Sequence, residues 1–86
     1  MATVRAFQLA GVKIWFWSHD HEPPHFHAMR SGEWEVKVHF LFEPAEMIET
    51  VWAEKKPSGK MLKSLTSLAE QHRVALFEQW EELHQE

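Results

Sequence analysis

The sequence predicts an α+β domain in which about four antiparallel strands form a sheet packed against one long C-terminal helix. Three observations carry this. Between Val12 and Phe40 apolar side chains recur at every second position, whereas after Ser58 they recur at every third or fourth. Prolines and glycines punctuate the stretches between these patterns. All strand-like segments precede the helical one, an order that stacks a helix on one sheet face and does not build alternating parallel units.

The first firm strand follows Gly11, where Val12, Ile14 and Phe16 alternate with Lys13, Trp15 and Trp17; Val4 to Leu9 is a short strand or an ordered arm. Ser18 to Pro24 is a loop, because its two prolines donate no ladder hydrogen bond. From His25 to about Met29 the chain is extended again, with His25, His27 and Met29 on one face and Phe26 and Ala28 on the other. Arg30-Ser31-Gly32-Glu33 reads as a hairpin turn. Trp34, Val36, Val38 and Phe40 then alternate with Glu33, Glu35, Lys37 and His39, the clearest half-buried strand. Pro44 interrupts, Met47 to Ala53 forms a weaker strand, and Glu54 to Gly59 connects to the helix. That helix runs from about 59 to 84, capped by Ser58, with Leu62, Leu65, Ala69, His72, Leu76, Trp80 and Leu83 along its apolar stripe. Residues 1–86 read as a single domain, with its strands at about 11–53.

At 86 residues the chain lies near the size at which one core just suffices, and its five Trp and six Phe compensate by burying large areas. With no Cys, any metal must be held by imidazole and carboxylate. A formal charge of −4 argues against a broad grip on nucleic acid but leaves room for a small RNA site with a few local cations. No stretch approaches the roughly 20 apolar residues of a membrane span, and Met1 to Val12 lacks the apolar core of a signal peptide. The cytoplasm is the expected compartment, with no membrane partner.

The chemistry concentrates in His19-Asp20-His21-Glu22-Pro23-Pro24-His25-Phe26-His27, which holds four of the seven histidines. Three readings fit it. In the first, His25 and His27, two apart on a strand, converge on a divalent transition metal such as Zn, Ni or Fe. His21 or Asp20 adds a ligand across the proline turn, or His72 does so from the helix. In the second, His25 and His27 are proton carriers in metal-free acid–base catalysis on RNA. Asp20 or Glu35 orients the rings, His72 stands nearby, and Arg30 or Arg73 holds a phosphate. The third makes the histidines structural, bonded to backbone in the turn, and the protein an interaction module.

Other residues have plainer expectations. His39 and the series Glu33, Glu35, Glu43, Glu46 and Glu49 read as solvated, and His84 as frayed near the terminus. Trp15 and Trp17 share a face that needs cover, from a partner protein or from a second copy in a homodimer.

Gly11-Val12, the run Asp20-His21-Glu22-Pro23-Pro24-His25-Phe26-His27-Ala28, Gly32-Glu33, Glu35, His72-Arg73, Leu76 and Trp80-Glu81 together resemble a family of small bacterial proteins catalogued as domain of unknown function number 4160. The chain differs in a longer Trp52 to Gly59 connection and a more aromatic Trp15-Phe16-Trp17 lead-in. The resemblance implies one half of a two-gene module similar to toxin–antitoxin pairs, with a small partner protein.

Overall fold

Gly32 lets the central hairpin close. Its φ of +76° is open to glycine at little cost, and Glu33 N–H donates to the Arg30 carbonyl at 3.0 Å across the turn. In the computed structural model, which describes residues 1–85, this turn joins β3 (Phe26–Arg30) to β4 (Trp34–Val38). With β1 (Ala2–Thr3), β2 (Lys13–Phe16) and β5 (Ile48–Ala53) they form a five-stranded antiparallel sheet whose spatial order is the chain order. The short β1 is the addition to the predicted strands; it lies just before the Val4 to Leu9 stretch, which forms no strand of its own. The fold is α+β.

Register decides which side chains share a face. Ile14 pairs with Ala28 and Ala28 with Val36, while Phe26 pairs with Val38. These residues, with Phe16, Trp34, Phe40 and Met47, make the apolar core beneath the helices, which contribute Leu65, Ala69, Leu76 and Trp80. The opposite face carries Trp15 across from His27, His27 across from Lys37, and Met29 across from Glu35. Lys37 lies across from Glu49 on β5, and a register shift between Glu35 and Val36 interrupts the β4–β5 ladder.

Ser58 caps the helical region as expected, its hydroxyl accepting from Met61 N–H at 3.0 Å. The single long helix is corrected to two, α1 (Gly59–Gln71) and α2 (Arg73–Leu83), because His72 leaves helical geometry at φ −107° and ψ 19°. The periodicity hides the break. His72 N–H still donates to Leu68 and Leu76 N–H to His72, so the four-residue spacing continues through it. Past the break the Arg73 guanidinium donates to the Phe40 carbonyl at 2.8 Å and the Phe42 carbonyl at 3.4 Å. Among the described residues, no helix is long and apolar enough to cross a membrane.

Gln79, buried on α2, holds the N-terminal arm in place: its amide donates to the Thr3 carbonyl at 2.8 Å and accepts from Arg5 N–H at 3.0 Å. Gln79→Ala leaves both backbone groups unpaired and is expected to lower stability by about 1–3 kcal/mol, read from denaturant unfolding. An unchanged unfolding midpoint contradicts this role.

Candidate metal centre

β3 and the residue immediately before it position two of the predicted histidines. Strand periodicity turns His25 and His27 to the same side while Phe26 between them enters the core, and both rings are buried, with each residue 5% exposed. Their centroids lie 5.2 Å apart. Trp15, the cross-strand neighbour of His27, stacks on that ring at 5.2 Å and 16°. Trp15 is therefore buried and part of the site's floor, not an open docking residue; Trp17 beside it stays 42% exposed.

Asp20 reaches back from the β2–β3 loop and sets its Oδ2 between the two rings, 2.8 Å from His27 Nε2 and 3.2 Å from His25 Nε2. One oxygen and two nitrogens, all within 4.8 Å of one another, form a candidate ligand set of Asp20, His25 and His27. Atoms sharing one ion at about 2.0–2.1 Å stand roughly 2.9 Å apart at a right angle and about 3.4 Å apart at a tetrahedral angle. The two measured separations from Oδ2 fall close to that range.

The outer nitrogens complete the pattern. His25 Nδ1–H donates to the Pro23 carbonyl at 2.9 Å, so in the neutral ring Nε2 carries a bare lone pair aimed at a carboxylate oxygen. His27 Nδ1 faces Glu35 Oε2 at 3.4 Å while Nε2 faces Asp20, so this ring has carboxylates at both edges. Among the described residues, His25 Nε2 and His27 Nδ1 are both buried without a hydrogen-bond partner. An acceptor facing an acceptor in a buried setting calls for a proton or a cation between them. Backbone or carboxylate oxygen behind each ring is the arrangement that fixes the tautomer of metal-binding histidines.

Burial pushes the His25 pKa below its ordinary value; the nearby His27 and His39 add to this, while the Pro23 bond and Asp20 oppose it. Unfolded His25 takes up its proton near pH 6.5, and the folded ring does so only at lower pH. Between those values the unfolded state binds more protons, so stability falls as pH falls through that window. Urea unfolding of metal-free protein should show this slope below about pH 6.5, and His25→Gln should flatten it. An unaltered slope in the variant would assign the effect elsewhere.

The remaining predicted residues lie apart from this group. His21 is exposed in the loop, two residues before the rigid Pro23-Pro24 pair, and is outside the ligand set. His72 sits at the helix break, stacked on Phe7 at 5.5 Å, and is also outside it. Arg73 is engaged by carbonyls, and Arg30 lies against Gly11, where a Cβ would stand 3.2 Å from the guanidinium.

Two residues read as peripheral from the sequence, His39 and His84, come to the site, and Glu35 stands there as the orienting carboxylate of the acid–base reading and not as a solvated one. His39 is 8% exposed, not solvated, and donates from Nε2 to Glu49 at 3.0 Å; that bond lowers the Glu49 pKa. Glu35 is half-buried behind His27. His84 is anchored, not frayed: its ring stacks on Trp80 at 3.8 Å, and its nitrogens face the Trp80 and Asp20 carbonyls at 2.7 and 3.0 Å. The signal for His39 was the hairpin register, since a turn centred on residues 31–33 sets position 39 opposite position 25. For His84 the sequence holds no comparable signal, because the contact spans 64 positions.

No curated protein and no solved structure matches the chain significantly. A family profile does, over residues 11–81, a span that includes the Asp20–His27 segment and all but the last two residues of α2. The chain thus belongs to the family described as Domain of unknown function (DUF4160).

Proposed function

We propose that this domain binds one divalent transition metal (zinc, nickel or iron) through Asp20, His25 and His27, and that it acts in the bacterial cytoplasm as one component of a toxin–antitoxin-like pair. One observation carries the metal reading. A carboxylate oxygen sits 2.8 and 3.2 Å from two buried imidazole nitrogens, and each ring has an oxygen at its other edge. Two histidines and one carboxylate would fill three coordination positions, and a metal so held would acidify a water or polarise an oxygen wherever a further position stays open. The chain's own groups prepare this. Asp20 brings the negative charge, the Pro23 carbonyl holds His25 in the Nδ1–H tautomer, Glu35 stands behind His27, and Trp15 packs against its face. The metal reading is preferred to metal-free phosphate chemistry because the Arg73 guanidinium is taken up by the Phe40 and Phe42 carbonyls.

The test is metal analysis of untagged protein, together with thermal unfolding on addition of zinc, nickel or ferrous ion. Near one equivalent of metal, or saturable stabilisation by one of these ions, is the expected result. Protein that carries no metal and gains no stability from any of them would falsify the reading.

A second reading, a non-catalytic interaction module with structural histidines, draws on the exposed Trp17, Val51 and Trp52. Its occupant is the small partner protein of the same two-gene module. Trp17→Ser then weakens capture of that partner while His25→Ala leaves it unchanged; the reverse pattern favours the metal site as the working surface.

A further inference from the structure

We infer that His39 is the fourth ligand of this centre, an inference that rests on the metal reading above. Its position follows from sheet register. Phe26 pairs with Val38 and His27 with Lys37, so extending that register by one residue, just past the end of the ladder, sets His25 opposite His39. Alternation puts His39 on the face that carries His25 and His27. The His25 and His39 rings lie 5.3 Å apart, nearly the 5.2 Å that separates His25 from His27. A His-x-His pair on one strand and a third histidine directly across on the next thus form an L-shaped cluster.

The chemistry of the ring agrees. His39 Nε2–H donates to Glu49, leaving Nδ1 with a bare lone pair, and Nδ1 is buried with no partner. Glu49 belongs to β5, on one side of β4, and His25 immediately precedes β3, on the other. Holding Nε2 toward β5 turns the opposite ring edge toward β3. His25 and His39 therefore share one arrangement: an oxygen acceptor clamps one nitrogen, and the other is hidden and unpaired. A hidden lone pair without a partner costs about 1–3 kcal/mol. Two of them side by side, next to a carboxylate oxygen, are relieved together by a single cation.

His39 stands outside the tight triangle of Asp20, His25 and His27. Closing it onto an ion takes a rotation about its side-chain bonds. The Glu49 side chain, 58% exposed, is free to follow that rotation. Phe42 stacks on the His39 ring at 5.0 Å and 17°. The completed set is three imidazoles and one carboxylate.

Cobalt(II) added to the full-length, untagged protein tests this, because its visible spectrum reports coordination number. Wild-type protein should bind one equivalent and show the intense bands of a four-coordinate ion. His39→Gln should weaken binding by roughly 100-fold and shift the spectrum to the weak bands of higher coordination, while Glu49→Gln weakens it by about 10-fold. Glu49→Gln changes an exposed side chain, so it carries the test even if His39→Gln does not fold. Wild-type affinity and spectrum in both variants overturn the role of His39 and leave the three-ligand centre standing. Failure of the wild type to take up cobalt or any of the other ions overturns the centre itself.

Discussion

Replacing His27 with glutamine should abolish the proposed metal binding while leaving the fold in place. His27 lies at the middle of the site, with Asp20 at one nitrogen, Glu35 at the other and Trp15 against its face. Loss of a group that merely supports a metal ligand costs about 10–100-fold in affinity, so removal of a ligand should cost more than about 100-fold. The consequence for stability is large. Metal at 100 times its dissociation constant stabilises the wild type by about 2.7 kcal/mol, whereas a ligand weakened 100-fold contributes only about 0.4 kcal/mol at the same concentration. For a domain this small the difference amounts to more than about 10 °C in Tm. The glutamine amide can still donate to Asp20, so the metal-free variant should unfold near the wild-type temperature. Thermal unfolding of both proteins with and without metal separates the two effects. Equal metal-induced shifts would mean that His27 is no ligand.

Phe26→Ala should show the opposite pairing, with loss of fold and loss of site together. Phe26 is fully buried between two site histidines along β3, and its ring packs against Phe7, Phe16 and Phe40. Removing such a ring costs about 3–5 kcal/mol, through lost burial and the cavity left behind. Domains are stable by about 5–15 kcal/mol in total, so this one change removes a large share of the margin. It also removes what holds β3 in register, and a slip of one residue would turn His25 and His27 to the helix side. Denaturant unfolding should move to a much lower midpoint, and metal uptake should fall in parallel. A variant that unfolds early yet binds metal normally would show that the site is assembled independently of the core.

These two outcomes track how the molecule divides between local and non-local information. The facing of His25, Phe26 and His27 is legible in the sequence, because strand alternation is a local property of consecutive residues. The hairpin turn at Gly32 and the Ser58 cap are legible for the same reason, each depending on a few neighbouring backbone angles. The expected solvation of His39 failed because exposure is not local. Whether a polar-face residue is covered depends on Phe42 folding over it and on the strand that arrives ten positions later with Glu49. The break at His72 was hidden because its hydrogen bonds keep helical spacing. Trp15 and Trp17 look alike in sequence, yet Trp15 lies under His27 through cross-strand pairing and Trp17 does not.

By itself the sequence determined the α+β class, the His-x-His facing and the choice of imidazole and carboxylate as the available donors. Those follow from residue type and short-range periodicity. Only the tertiary structure decided that Asp20 closes on His25 and His27, that His21 and His72 stand apart, and that His39, Glu35 and His84 surround the cluster. Loop return, strand register and helix docking bring together residues up to 64 positions apart, and no local pattern encodes a distance of that kind.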